Sequence, residues 1–197
     1  MPVILVTNDD GVGSFGIRTL AKALRSLGDV YVVAPEREQS AVGHALTLHR
    51  PLKFANLNKK VYFINGTPTD CVILGVNRLL PQKPDIIVSG INHGGNMGDD
   101  ITYSGTVAAA IEGTFLGIPS IAISLVTEPR NNKKKYSGFQ EAARFAQRLV
   151  SMVIKEGLPP DTLLNVNVPD IFKVKGMRLT RQGKRAYDNS IQEMSDP

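Results

Sequence analysis

A three-layer α/β fold with a mostly parallel central sheet, Rossmann-like in outline, is the fold class this sequence predicts. Two patterns lead there. Short, continuous apolar runs recur along the chain, as strands buried on both faces require. Stretches of helical periodicity separate them, so strands and helices alternate. The most polar segments follow the carboxyl ends of the strands, where open α/β sheets bind ligands.

The first run is Val3-Ile4-Leu5-Val6-Thr7. A Gly-containing loop over residues 8–15 follows it. Residues 16–27 then place Ile17, Leu20, Ala21 and Leu24 on one helical stripe, and Gly28 stops that helix. The second strand, Val30 to Ala34, ends at Pro35 and completes a βαβ unit, which calls for parallel pairing. Residues 36–50 form a polar loop with Ser40, Gly43 and His44. Residues 46–54 and 61–64 read as strands around an Asn-rich turn, and residues 69–80 as a helix. A third buried strand over residues 85–89 runs into Gly90-Ile91-Asn92-His93-Gly94-Gly95-Asn96-Met97-Gly98-Asp99-Asp100. Residues 104–116 form a helix closed by Gly117, and residues 120–124 a fourth strand. A charged, mobile connection is expected over 128–137, an amphipathic helix over 138–155, and a last strand over 163–168.

A chain of 197 residues fits one domain over 1–197, with a core over about 1–125 and a basic C-terminal extension over about 126–197. Hydrophobic residues at 42% and charged ones at 21% exclude a disordered or fibrous chain. The single Cys71 excludes a disulfide framework and a cysteine-rich zinc site. The sequence contains no apolar run long enough to span a membrane, and its start does not resemble a signal peptide, so the cytoplasm is the default location.

The net charge is +5. Residues 1–129 hold 10 Lys/Arg against 11 Asp/Glu and residues 130–197 hold 13 against 7, so the excess lies in the last third. That excess either steers an anionic ligand or forms a solvated surface. With no tryptophan and no interleaved aromatics, a single-strand stacking platform is disfavoured, and nucleic acid is not an expected partner.

Three loops converge on the chemistry. Asn8-Asp9-Asp10 sets two adjacent carboxylates at a strand end, where they repel unless a cation or donors compensate. A hard divalent ion would do so, with Ser40 and Asn92 as neutral oxygen donors. An all-oxygen set favours Mg²⁺, Mn²⁺ or Ca²⁺ over zinc or copper. The plainer reading makes one Asp a turn or helix cap. Ser104-Gly105-Thr106 opens a helix, where free N–H groups favour a phosphate; simple N-capping explains it equally. Asn8, Gly43 and His44 join the candidate substrate contacts. His44 is a candidate for proton transfer or phosphate binding, whereas His49 reads as structural on a strand, and Cys71 as a buried small residue.

One alternative stands beside this. Gly11, Gly13 and Gly16 match G-x-G-x-x-G after a strand and before a helix, with Glu36 twenty residues beyond Gly16. That is the fingerprint of an NAD-type oxidoreductase. Asp9 and Asp10 beside a pyrophosphate, and a loop longer than the usual tight turn, oppose it.

Five ordered segments, Val6-Thr7-Asn8-Asp9-Asp10-Gly11, Val33-Ala34-Pro35-Glu36-Arg37-Glu38-Gln39-Ser40, Gly66-Thr67-Pro68-Thr69-Asp70-Cys71, Ser89 through Gly98 and Tyr103-Ser104-Gly105-Thr106, closely resemble the stationary-phase survival (SurE) family. The likeness reaches Asn165-Val166-Asn167-Val168-Pro169 and beyond. It implies a Rossmann-like core and a metal-dependent 5′/3′-nucleotidase, a phosphohydrolase acting on nucleoside monophosphates, with short polyphosphate as a further substrate. It implies one divalent ion per subunit on Asp9, Asp10, Ser40 and Asn92, with Mg²⁺ or Mn²⁺ as the working metal. Asn96, Ser104, Gly105 and Thr106 fall near the phosphate, and Asp9, Asp10, Asn96 and Ser104 are the expected catalytic set. It also implies a homodimer, or a tetramer, joined through the C-terminal region. Two departures stand out. Gly95 replaces a proline of the family's asparagine-glycine-proline-asparagine stretch. The family pattern also continues for several tens of residues past Pro197.

Overall fold

The computed structural model describes residues 1–127, 137–171 and 173–184, with Ser137 described by its backbone alone. Its seven-stranded sheet comprises β1 (Val3–Thr7), β2 (Asp29–Pro35), β3 (Phe54–Asn58), β4 (Val61–Ile64), β5 (Ile86–His93), β6 (Ser120–Val126) and β7 (Leu163–Pro169). The order is β3-β4-β2-β1-β5-β6-β7, and every pairing is parallel except the β3–β4 hairpin. Strand order therefore reverses at β1, and the crevice between the ends of β1 and β5 is the switch point where such sheets take ligands.

Helices cover both faces. The helices α1 (Phe15–Leu24) and α4 (Ser137–Glu156) lie on one face, packed with Ile4, Val6, Val88 and Ile121. The helices α2 (Pro68–Leu74) and α3 (Gly105–Phe115) lie on the other, where Cys71, Val72 and Ala109 meet Leu5, Val33 and Ile87. β1 is buried along its whole length, which is why its sequence is apolar without alternation.

Several boundaries differ from the sequence reading, each for a local reason. The expected strand over 46–54 is irregular until Phe54, because β4 is only four residues long and its register starts at Phe54 opposite Ile64. His49 is consequently an exposed loop residue and not a strand residue. The helix expected over 69–80 is α2 followed by a π turn over Gly75–Leu79. A Cβ at Gly75 would lie 3.2 Å from a Leu5 methyl, so glycine lets this turn press on the sheet. β5 runs four residues further than expected and carries Asn92 and His93 within it. A register shift between Ser89 and Asn92 permits this, and Gly90 fits there because a Cβ would sit 2.3 Å from the Ile123 carbonyl oxygen. The charged connection and Lys133-Lys134-Lys135 lie outside the described residues, as do Arg185 and all that follows it.

Candidate active site

β1 delivers Asn8, Asp9 and Asp10 to the switch point. Asn8 is fully buried, and its amide nitrogen donates to Gly11 O (3.1 Å) and Ser14 Oγ (2.8 Å). Ser14 in turn caps α1, accepting from the Ile17 N–H. The loop is thus closed on itself by its own side chains. Gly11 has φ of 91°, and Gly16 presses α1 on β5, since a Cβ there would lie 2.0 Å from Ile91 O. The G-x-G-x-x-G pattern therefore has a structural account in turn formation and helix packing.

Asp9 is buried and clasped to α3. Thr106 Oγ1 donates to Asp9 Oδ1 (2.5 Å) and the Thr106 N–H to Oδ2 (3.1 Å), while the Asp9 carbonyl accepts from the Gln39 N–H (2.8 Å). Gly105 makes the approach possible, because a Cβ there would stand 2.8 Å from Asp9 Cβ. Burial pushes the Asp9 carboxyl up, and the Thr106 hydrogen bonds oppose it. Asp10 is pushed up to about 6, first by burial and then by the Asp9 charge, although the His93 backbone N–H donates to it. Two neighbouring carboxylates, each raised by burial, leave a strong local demand for positive charge.

Ser104 caps α3, its Oγ accepting from the Val107 N–H (3.1 Å). Two first-turn N–H groups, those of Thr106 and Val107, are therefore taken by side chains. The Gly105 N–H remains as the first-turn donor not committed to a side chain, so the phosphate-binding capacity expected of this turn is narrower than the sequence implies.

The structure adds three residues. Glu38 raises both Asp9 and Asp10 by its charge and accepts from Ser40 Oγ (2.6 Å), so a third carboxylate stands near the pair and orients the serine. The Asn96 N–H donates to Asn167 Oδ1 (2.8 Å), and Asn96 O accepts from Asn165 and Asn167 (both 2.9 Å), fixing the loop from β7. The Asn96 amide nitrogen donates to Ser124 Oγ (2.8 Å), so its Oδ1 is left for other contacts. Asn92 Nδ2 donates to Gly94 O (2.8 Å), which leaves its amide oxygen free to face a cation. Asn165 and Asn167 alternate with apolar residues on β7, the one signal in the sequence that they point together.

His44 lies elsewhere. Its Nε2 meets Glu112 Oε2 at 2.8 Å, and its ring rests 5.6 Å from that of Phe115. Glu112 stands two turns along α3 from Ser104, so this imidazole fastens the loop to the flank of α3. The neighbouring Gly43, with φ of 57°, donates its N–H to Tyr103 O (3.0 Å) and anchors the same loop beside the phosphate-side turn.

The family model "Survival protein SurE" matches residues 4–189. This chain belongs to the SurE family. A 5′-nucleotidase SurE of Geobacter metallireducens is 59% identical over 98% of this chain and 76% of its own length. The 5′-nucleotidase SurE of Geotalea uraniireducens is 56% identical over 98% and 77%. A crystal structure of the SurE protein of Aquifex aeolicus superposes with a TM-score of 0.87 at 49% identity, covering 95% of this chain and 75% of that one. The expected SurE kinship and α/β fold are thus borne out, and the dinucleotide alternative gains nothing from these relatives.

Proposed function

We propose that this chain hydrolyses nucleoside monophosphates to nucleoside and phosphate with the help of one divalent cation. The observation that carries the reading is the adjacent pair Asp9 and Asp10 at the switch point, with Asp9 buried and bonded directly to the helix turn that would receive a phosphate. Kinship with named 5′-nucleotidases supplies the substrate class.

The residues present fit a hard cation. Two desolvated carboxylates, the Ser40 hydroxyl and the Asn92 amide oxygen form an all-oxygen set that suits Mg²⁺ or Mn²⁺, with Ca²⁺ as a spectator. Among the described residues no group of three or more His, Cys, Asp or Glu gathers as a metal site, so the cation would rest on two carboxylates and neutral oxygens. When bound, such an ion supplies positive charge to the phosphoryl oxygens and acidifies a water.

The chain's own groups divide the remaining work. Thr106 holds both oxygens of Asp9, so Asp9 is a fixed ligand. Asp10 accepts a single backbone N–H and keeps capacity to hold the proton of an attacking water. Of the two carboxylates, Asp10 and not the clasped Asp9 then takes the role of base. The Gly105 N–H and the α3 dipole steady charge on the phosphoryl oxygens, and Ser104 holds that turn in shape. Asn96 presents its amide oxygen from a braced loop. Activity on 3′-phosphates and on short polyphosphate belongs to the same reading, because the cradle grips phosphate and not the sugar. Assembly into a homodimer or tetramer, and a cytoplasmic setting, complete it; among the described residues no helix is long and apolar enough to cross a membrane.

Phosphate release from AMP, with Mn²⁺ and after EDTA, tests the proposal. Activity lost with chelator and restored by metal supports it; undiminished turnover in EDTA refutes it.

A further inference from the structure

A second charged feature lies away from the carboxylates, between α1 and α4. A cleft of about 840 Å³ separates the two helices, lined in part by Arg18, Lys22 and Arg144. A neighbouring cavity of about 430 Å³ shares Arg144 and adds Arg148 and Lys173. The two cavities share Arg144 and Gln147, and five cations line them between them. Their one carboxylate, Glu141, is already engaged, accepting from the Val174 N–H (2.9 Å) and from Arg144 (3.2 Å). Arg18, Lys22, Arg148 and Lys173 form no ion pair among the described residues. Five like charges gathered around a single carboxylate raise the local potential and favour a polyanion.

The cleft has a fixed shape. Gln147 Nε2 donates to Ala23 O (2.9 Å) and Ser26 Oγ (2.7 Å), pinning α4 to the end of α1. Its upper end meets the active site through a chain of rings. Phe15 contacts Phe139 at 5.5 Å, and Phe139 stacks on His93 at 6.2 Å, whose backbone N–H serves Asp10.

We infer that the α1–α4 cleft binds a single-stranded nucleic acid along its phosphodiester backbone. Arg18 and Lys22 are four residues apart on one helix, as are Arg144 and Arg148 on the other. Each pair therefore repeats at a rise of about 6 Å, the order of the spacing between successive phosphates of an extended strand. The α1 pair and Arg144 face the larger cavity, and Arg148 carries the α4 row on into the smaller one, a succession that fits a chain of regularly spaced anions better than a lone phosphate. The helices α1 and α4 pack directly against each other, so a strand would lie in the open groove over their seam. The missing tryptophan and interleaved aromatics bear on base stacking and not on backbone charge. This cleft works by charge, and two of its five cations, Arg18 and Lys22, come from α1, outside the basic C-terminal third. Binding here is sequence-tolerant and strongly salt-dependent.

The test is fluorescence anisotropy of a labelled deoxythymidine dodecamer titrated with the whole chain at several salt concentrations. Arg18→Ala/Lys22→Ala should weaken binding about tenfold at low salt and flatten the log–log salt slope by about 1.4, two contacts at about 0.7 each. Arg148→Ala/Lys173→Ala, at the other end, should do likewise. Both variants should keep the circular dichroism of the parent and its hydrolysis of AMP. Inorganic polyphosphate and phosphatidylglycerol vesicles serve as competitors. Absence of dodecamer binding, binding indifferent to both double substitutions, or stronger competition by either competitor than by unlabelled dodecamer at equal charge overturns the inference.

Discussion

In the proposed site Asp10 would tie proton and metal together. Its folded carboxyl sits at about 6 because of burial and the Asp9 charge, above the ordinary value of about 4 for an unfolded aspartate. The folded state therefore holds a proton over the interval in which the unfolded state has lost it. Metal-free stability should fall as pH rises from about 4 to about 6 and then flatten. Asp10→Asn should lessen that slope and leave only the part due to Asp9, read by urea unfolding across the interval. Cation affinity runs the other way. It should climb close to tenfold per pH unit below about 6 and level off above it, with a proton released on binding, as calorimetry in two buffers would detect. For Asp9 the expectation concerns turnover. Asp9→Asn should lower kcat/KM for AMP by at least about a hundredfold, the range lost with a charge-stabilising group. Thr106→Val, which keeps the shape and deletes the Oγ1 donor, should fall between the two.

Single glycines decide how closely elements approach. Gly105→Ala would force the first turn of α3 away from Asp9, where a Cβ would stand 2.8 Å from Asp9 Cβ and 3.1 Å from Pro68 Cγ. A loss of about 1–3 kcal/mol of stability is expected, together with a greater loss of activity than the stability change explains. Gly16→Ala meets the Ile91 carbonyl at 2.0 Å and should cost a similar or larger amount while leaving the carboxylate pair chemically intact. Denaturant midpoints set beside AMP turnover would separate the two cases. Much at this scale was legible beforehand. The period-free apolar runs at β1, β2 and β5 and the stripe of α1 announced themselves, as did the Asp9–Asp10 pair at a strand end. What was hidden depends on partners distant in sequence. The brace of Asn165 and Asn167 on Asn96 appears only once β7 lies beside β6. The distant site of His44 depends on how far its loop swings along α3. The role of Glu38 arises because a hydroxyl two residues on turns back to it.

In the proposed holoenzyme one cation would join ligands on β1, β5 and the loop after β2, so the whole molecule should respond to the site as a unit. Mn²⁺ at about a hundred times its Kd should add about 2.7 kcal/mol to unfolding, and EDTA should reverse the gain; the shift should vanish in Asp9→Asn/Asp10→Asn. Farther off, Glu141 fastens the segment after β7 by accepting the Val174 N–H, and this contact lowers its carboxyl. That hydrogen bond is present above the usual glutamate range and is lost as pH falls through the lowered value, so the segment should loosen only in acid.

The β3–β4 hairpin falls, in sequence, between the two halves of the Asp9–Thr106 clasp, yet it occupies the edge of the sheet, three strands away from β5. Its turn, at Lys59 and Lys60, can be severed without touching either half. Limited trypsin digestion there should yield two fragments that travel together on a sizing column and still release phosphate from AMP, held by the neighbouring strands until denaturant parts them.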